Sequence, residues 1–294
     1  MSRNVNWLRV ARDGLYVAGI IFAVAFWLFY TSAGGRPDDA HWYWSANTHA
    51  LYPHPELAEN NGYNYSPAFE FFIGWSRLIP FDVFVAIYRA ILLAAVVYMA
   101  GPFTLFVLLT VAVGSEINAG NIQILMALAI VWGFRHPWTW SFVLLTKVTP
   151  GIGLLWFAVR REWRKLGIAL GATAVLAVLS LLFWSDQWPG YVALITSGKA
   201  PAVPPYYLTL YQRLPWAIAL VVVGALGNWK WTVPAAACLA LPVFYPISWS
   251  LMVGCLPFIR ITIGRLLAER GYSLERAVPN PAGPPESEGL LSSP

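Results

Sequence analysis

The most constraining feature of this sequence is a series of long apolar runs that contain almost no charged residues. The first of them, from Gly14 to Gly35, contains no Asp, Glu, Lys or Arg. A helix that crosses a bilayer needs about 20 mostly apolar residues, so this run is long enough. Only 11% of the whole chain is charged, against roughly 25% in an average soluble domain. The pattern excludes a water-soluble globule and predicts an all-α polytopic membrane protein.

About ten apolar segments qualify as transmembrane helices or parts of them. The segments 138–149 and 150–160 are too short to span alone. We expect them to form two half-length helices that turn at Val148-Thr149-Pro150, because the residue before a proline leaves the α region. The run Trp231–Ile259 contains Pro242, Pro246 and Pro257 and fits either one long span or two short ones. The predicted spans are 14–33, 81–99, 103–116, 119–134, 138–149, 150–160, 164–184, 214–228, 231–246 and 247–264.

The distribution of Lys and Arg predicts the orientation of these spans. Cytoplasmic segments of membrane proteins are enriched in both residues. A ten-span arrangement keeps the basic stretch Arg260–Arg276 inside, whereas a nine-span arrangement would export it. We therefore expect a multi-pass protein of the cytoplasmic membrane with both termini in the cytoplasm. The long segments 34–80 and 185–213 would then lie outside, with interfacial helices at His41–Leu51 and Pro67–Ile79.

Few residues have the character of metal ligands. The two cysteines, Cys238 and Cys255, lie inside apolar runs and are typical of thiols that fill a core. His49 and His54 lie close to Glu56 in one loop, but no cysteine or third histidine joins them. The sequence predicts neither a metal site nor a cofactor.

Two cations are predicted to lie at membrane depth, where ionisable residues are costly and usually functional. Lys147 stands at the turn of the two half-length helices, and its compact charge suits a phosphate. The alternative is a lysine that extends to the lipid headgroups. Arg89 lies in the outer half of its span and either holds a phosphate or pairs with Asp82 or Glu70.

A group of polar residues separates two neighbouring apolar runs. Such groups are costly between apolar segments unless they line a wet cavity. The alternative is a capped turn in which an asparagine closes a helix end. The group consists of Glu116, Asn118, Asn121 and Gln123.

An acidic pair, Asp38 and Asp39, follows the turn Gly34-Gly35-Arg36-Pro37 just outside the first span. A carboxylate beside an aromatic interfacial helix can have its pKa raised enough to act as a general base. A solvated loop turn is the alternative for the same pair.

Several motifs occur in a fixed order and resemble the C-type glycosyltransferase superfamily, and within it the polyprenyl-phosphate-dependent family 87, which includes mycobacterial mannosyltransferases. The resemblance covers residues 14–213, and the pairing of the last two motifs is its most specific element. The motifs are Asp39-Ala40-His41-Trp42-Tyr43-Trp44, Tyr63-Asn64-Tyr65-Ser66-Pro67-Ala68-Phe69, Gly120-Asn121-Ile122-Gln123, Lys147-Val148-Thr149-Pro150 and Arg160-Arg161-Glu162-Trp163-Arg164.

The resemblance implies a fold with a seven-helix catalytic module and about three further helices. Residues 1–213 would form the module, with its first extracytoplasmic loop at 34–80. Residues 214–265 would form the C-terminal transmembrane helices, and 266–294 a cytoplasmic tail. The tail is rich in Pro, Ser and Glu and is predicted to be disordered.

The resemblance also implies an inverting transferase of the cell envelope. It would move a sugar, mannose or a similar one, from a polyprenyl phosphate sugar donor to a lipid or glycan acceptor outside the membrane. Its partners would be these substrates and membrane lipids, with no nucleic acid. The general base would be Asp39, or Asp38 in its place, and the donor phosphate would contact Lys147, Arg89 and Arg213. The expected substrate-binding residues are Glu116, Asn118, Asn121, Gln123, His41 and Tyr65.

Two other functions fit the same residues. A transporter or flippase would place Arg89, Glu116 and Lys147 along a path across the membrane, near the midplane and accessible from both sides. The predicted polar groups crowd instead toward the outer face. A non-catalytic scaffold of the same fold, assembled with a catalytic partner, is the third interpretation.

Overall fold

The computed structural model describes residues 7–33, 37–53, 62–196 and 208–269, and every regular element among them is a helix. This confirms the predicted all-α class. The α-helices are α1 (Trp7–Ser32), α2 (Asp38–Ser45), α3 (Glu70–Ile73), α4 (Phe81–Ala100), α5 (Thr104–Leu108), α6 (Val111–Ala119), α7 (Gln123–Gly133), α8 (Trp140–Thr146), α9 (Leu155–Val159), α10 (Trp163–Trp184), α11 (Trp188–Thr196), α12 (Leu210–Gly227), α13 (Thr232–Leu239) and α14 (Leu256–Glu269).

Short 3₁₀ helices join many of these elements. The longest, Pro246–Cys255, has 10 residues, although runs beyond three or four residues are uncommon. It packs between α6, α7 and α13. The others are Pro67–Phe69, Gly74–Leu78, Gly101–Phe103, Pro137–Thr139, Thr149–Leu154 and Ser185–Gln187.

The described part of the chain contains 5 helical runs that are long and apolar enough to cross a membrane. The prediction of about ten spans is not confirmed. Two of the predicted segments, 119–134 and 138–149, contain helices of only 11 and 7 residues, whereas a span needs about 20. The long runs are Trp7–Ser32, Phe81–Leu108, Trp163–Thr196, Leu210–Gly227 and Pro246–Glu269.

The predicted turn between two half-length helices is confirmed. Helix α8 ends at Thr146, Lys147 has extended backbone angles, and a 3₁₀ helix follows from Thr149 before α9. Pro150 lies in the first turn of that 3₁₀ helix, where its missing N–H costs no hydrogen bond. The turn therefore places Lys147 outside regular helix.

The C-terminal helices pack directly against the half-length helices through small residues. A Cβ on Gly153 would lie 2.4 Å from the Trp140 ring and 2.8 Å from Val233 of α13. Small residues allow helices to approach closely in membrane proteins. The predicted boundary at residue 213 falls inside α12, so the division into two units stays a prediction.

Both segments that were predicted as interfacial helices are helical, with one shift in position; their place at the membrane surface stays a prediction. Residues 67–78 are helical, close to the predicted Pro67–Ile79. The first helix, α2, spans Asp38–Ser45 and not His41–Leu51. Acidic residues in a first turn interact favourably with the helix dipole, and this explains the earlier start at the aspartate pair. The predicted disordered tail, 266–294, starts too early, because α14 continues to Glu269; the rest of the tail lies outside the described residues.

The turn between α9 and α10 contains an arginine in the left-handed region, with Arg161 at φ 57°. Its N–H donates to the Ala158 carbonyl at 3.0 Å, and the Glu162 N–H donates to Phe157 at 2.8 Å. These bonds form a Schellman motif, in which glycine is the usual residue at this position. A side chain there costs roughly 1–2 kcal/mol.

Candidate functional site

The candidate site begins where α2 rests on the turn between α6 and α7. Ala40 of α2 is fully buried against Gly120, and a Cβ on Gly120 would lie 2.7 Å from the Ala40 Cβ. Gly120 also has φ +67°, which glycine adopts without steric cost. This contact places Asp39, the residue before Ala40, beside the polar turn that follows Gly120.

Glu116 organises that turn. One of its carboxylate oxygens, Oε1, accepts hydrogen bonds from the N–H groups of Gln123 at 2.5 Å and Ile124 at 3.1 Å. A carboxylate at a helix N-terminus satisfies free N–H groups and complements the helix dipole. The other oxygen, Oε2, is buried and accepts no hydrogen bond in the described structure. The capped turn is therefore formed, with Glu116 as its main cap.

Asn121 connects the turn to Asp39. Its side-chain oxygen accepts from the Ile122 N–H at 2.6 Å, and its side-chain amide donates to the Asp39 carboxylate. Its backbone carbonyl accepts a bond from the Tyr88 hydroxyl at 3.3 Å. Asn121 thus both starts α7 and holds the predicted base.

Lys147 lies across the site from the two carboxylates. It is half-buried, and its ammonium interacts electrostatically with both Glu116 and Asp39. Its ammonium donates no hydrogen bond to any residue that the structure describes. The Thr149 hydroxyl, two residues further on, is also buried without a partner in the same part of the chain. An ammonium in this state is available to an anionic ligand.

Burial raises the pKa of Asp39 above the usual aspartate value. Lys147 opposes this effect, Asp38 adds to it, and the hydrogen bond from Asn121 opposes it. The carboxyl group is therefore poised to take up a proton more readily than an exposed aspartate would. This property suits a general base.

A group of aromatic rings closes one side of the site. The hydroxyls of Tyr43 and Tyr65 share a hydrogen bond of 3.0 Å, and the Tyr65 ring stacks on Phe69 with centroids 4.5 Å apart. Burial raises the pKa of both tyrosines, so their hydroxyls stay neutral donors. Tyr65 also interacts electrostatically with Asp39.

The aromatic group is tied to the Lys147 turn by Ser66. The Ser66 hydroxyl donates to the Leu145 carbonyl at 2.6 Å, and the Ser66 N–H donates to the same carbonyl at 3.3 Å. Two motifs that the sequence separates widely therefore meet next to Lys147.

The structure brings together Asp39, Glu116, Asn121, Lys147 and Tyr65 from the predicted set. Gln123 is buried at the start of α7, and its side-chain oxygen lacks a partner in the described structure. The Asn118 side-chain oxygen has the same status.

Asp38 and His41 are the exposed members of the predicted set. The His41 ring packs at 5.5 Å from Phe81 and at 6.5 Å from Trp44. His41 therefore packs among aromatic side chains at the edge of the site.

Arg89 and Arg213 donate to backbone carbonyls. Arg89 bonds the carbonyls of Tyr30 at 2.6 Å and Asn118 at 3.0 Å. Arg89 forms no ion pair with Asp82 or Glu70 in the described structure. Glu70 pairs with Arg77 instead.

Arg213 is buried and binds three carbonyls. It donates to Leu208 at 2.9 Å, to Leu241 at 2.9 Å and also to Leu239. These bonds fix the start of α12 to the end of α13. The phosphate role of both arginines stays a prediction.

Sequence reasoning missed Tyr43, Ser66 and Thr149 as members of the site. Tyr43 carried a signal, because it follows Asp39 by four residues and so lies on the same face of α2. For Ser66 and Thr149, the sequence contained no signal apart from their position in the motifs. The described residues contain no group of three potential metal ligands, and His54 lies outside them.

One curated relative is similar to part of this chain. It is the polyprenol-phosphate-mannose-dependent alpha-(1-2)-phosphatidylinositol mannoside mannosyltransferase of Mycobacterium tuberculosis. The chain is 31% identical to it over 120 residues. The match covers 38% of this chain and 28% of the relative, so it spans less than a third of that protein's length. No family model and no solved structure matches.

Proposed function

We propose that this chain is an integral-membrane glycosyltransferase that uses a polyprenyl phosphate sugar, with mannose or a similar sugar, as donor. The acceptor is a lipid or a glycan on the extracytoplasmic side, and the transfer inverts the anomeric centre. The observation that carries the proposal is the position of Asp39. Its carboxylate accepts a hydrogen bond from Asn121 and interacts electrostatically with the Lys147 ammonium. The similarity to a polyprenol-phosphate-mannose-dependent enzyme supports the donor class.

The proposed reaction needs one base. The acceptor hydroxyl oxygen forms a bond to the anomeric carbon while the bond from that carbon to the phosphate oxygen breaks. The phosphate leaves with the electron pair, and Asp39 takes the hydroxyl proton. A raised pKa makes the carboxylate a stronger base than an ordinary aspartate, and this favours proton transfer.

Lys147 has the charge that the leaving group requires. The phosphate gains negative charge as its bond to the sugar breaks, and a fixed cation stabilises that charge most where water is excluded. The Lys147 ammonium is half-buried and donates no hydrogen bond to the described residues. We assign it the donor phosphate. Arg89 and Arg213 are secondary candidates, because both already donate to backbone carbonyls.

Free acceptor atoms at the turn fit the hydroxyl groups of a sugar. Buried polar atoms are nearly always hydrogen-bonded, yet three oxygens near the turn have no partner in the described structure. They are Glu116 Oε2, Asn118 Oδ1 and Gln123 Oε1. Sugar hydroxyls would donate to these oxygens and so orient the transferred sugar.

The test compares three proteins in lipid nanodiscs: the wild type, Asp39→Asn and Asp82→Asn. Each is given labelled polyprenyl phosphate mannose and a crude lipid extract, and release of polyprenyl phosphate is measured. Asp82 is an exposed carboxylate at the start of α4 and serves as the matched control. We expect a loss of at least about 100-fold in Asp39→Asn and none in Asp82→Asn.

The folding of Asp39→Asn is not expected to obscure the result. Because burial raises the pKa of Asp39, its ionised form is less favourable in the folded protein than in the unfolded chain. Asparagine removes that cost. Full activity of Asp39→Asn would contradict the assignment of the base, and movement of intact labelled donor across the bilayer without release would support the flippase alternative.

A further inference from the structure

The turn between α9 and α10 forms an open basic depression whose lining includes none of the residues of the candidate site. It has a volume of about 410 Å³ and is lined by residues 161–165. Small-molecule sites commonly occupy roughly 300–1,000 Å³, so the depression is large enough for a lipid headgroup. Its lining contains three cations and one carboxylate, Glu162.

Glu162 neutralises only part of this charge. Its carboxylate pairs with Arg160 at 3.1 Å and with Lys165 at 2.6 Å. Arg160 also donates to the Ala225 carbonyl at 3.0 Å. Arg161 and Arg164 are exposed and form no ion pair with a carboxylate in the described ranges. Two guanidinium groups are therefore free to bind an anion.

Arg161 holds a backbone conformation that favours glycine. The other described non-glycine residue with positive φ is Asn228, and asparagine adopts this region readily. An arginine at the same conformation destabilises the turn by roughly 1–2 kcal/mol. Strained backbone of this kind clusters at ligand sites.

Trp163 indicates where the depression lies relative to the lipid bilayer. It is 62% exposed and begins α10, which opens one of the candidate membrane spans. Tryptophan concentrates at the level of the lipid headgroups. The free guanidinium groups are next to this ring in sequence and therefore lie at the height of the lipid phosphates.

We propose that this depression binds the phosphate of an anionic phospholipid through Arg161 and Arg164. Arginine binds phosphate through paired N–H groups, which makes it better suited than lysine to this contact. The proposal is independent of the proposed catalytic function, because it involves none of the residues of that site.

The test uses the full chain in nanodiscs of phosphatidylcholine alone or mixed with phosphatidylglycerol. Quenching of Trp163 by brominated phosphatidylglycerol is compared with quenching by brominated phosphatidylcholine, and Trp163→Phe defines the background. We expect preferential quenching by phosphatidylglycerol. Arg161→Asn and Arg164→Gln should each weaken this preference about tenfold, whereas the exposed Arg265→Gln on α14 should leave it unchanged.

Thermal unfolding provides a second readout. Arg161→Gly should unfold at a higher temperature than the wild type in phosphatidylcholine, because the strain is relieved. It should lose the further increase that phosphatidylglycerol gives to the wild type. If phosphatidylglycerol raised the unfolding temperature of Arg161→Gly as much as that of the wild type, the proposal would be overturned. Loss of the lipid preference on adding inorganic phosphate would assign the site to free phosphate and overturn the lipid assignment.

Discussion

The side-chain amide of Asn121 donates a hydrogen bond to the carboxylate of Asp39. The bond joins α2 to the turn between α6 and α7, and so assembles a polar site from segments far apart in sequence. It also opposes the effect of burial on the pKa of Asp39. Removing the bond therefore changes the chemistry of the proposed base without touching the base itself.

Asn121→Ala should move the acidic limb of the pH–rate profile to higher pH. The lost hydrogen bond favoured the ionised carboxylate, so the pKa of Asp39 rises further above its usual value. The base acts in its ionised form, and activity therefore falls at a higher pH than in the wild type. The measurement is kcat/KM for the donor across the acidic range. Asn64→Ala removes an exposed asparagine from the segment before the 3₁₀ helix Pro67–Phe69; it is the control and should leave the limb in place.

Lys147→Gln should weaken donor binding much more than acceptor binding. The ammonium faces Asp39 and Glu116 and donates no hydrogen bond to the described residues, so its charge is available to the donor phosphate. We expect the KM for the donor to rise about tenfold or more, since a charge-assisted hydrogen bond contributes about 1.5–3 kcal/mol. Lys230→Gln removes an exposed cation and should have no effect. Equal losses for donor and acceptor would contradict the phosphate role.

Gly120→Ala should destabilise the fold and separate α2 from the turn. The new Cβ would lie 2.7 Å from Ala40 in a backbone conformation with φ +67°. Left-handed strain and overpacking together cost about 2–4 kcal/mol. Gly167→Ala on the exposed face of α10 meets no atom within 4 Å and should stabilise the helix by about 0.5–1 kcal/mol. The measurements are the thermal unfolding of both variants and the transfer activity of the fraction that stays folded.

Arg213→Lys should lower stability and leave the donor KM unchanged. The guanidinium joins carbonyls from Leu208, Leu239 and Leu241 and lies 5.0 Å from the Phe244 ring. A lysine cannot reach all of these acceptors, and unpaired buried carbonyls cost about 1–3 kcal/mol each. Arg265→Lys is the exposed control. A rise in the donor KM without loss of stability would favour the phosphate role that the sequence predicts.

Local signals in the sequence were sufficient for several elements. The proline at 150 predicts a break in this segment. The extended residue is Lys147, three positions before the proline, whereas Thr149 already begins the following 3₁₀ helix. A capped turn was the alternative interpretation of the polar group from Glu116 to Gln123, and it forms with Glu116 as its main cap. The all-α class follows from apolar runs that are too long and too uncharged for anything else.

Features that depend on distant contacts could not be predicted. Arg89 and Arg213 resemble free cations in the sequence, and their partners are backbone carbonyls, which every residue carries. The number of membrane spans could not be predicted either. Apolar composition does not distinguish a long helix from one interrupted at Gly101, where φ is +58°.

The paired hydrogen bonds from Ser66 to the Leu145 carbonyl have a consequence for engineering. Residues 62–80 and 137–150 are held together by these bonds, although many residues separate the two segments along the chain. A chimera that imported only one of these segments from a relative would bring in a surface with no matching partner. Exchanging donor or acceptor preference between such enzymes therefore requires transplanting both segments together.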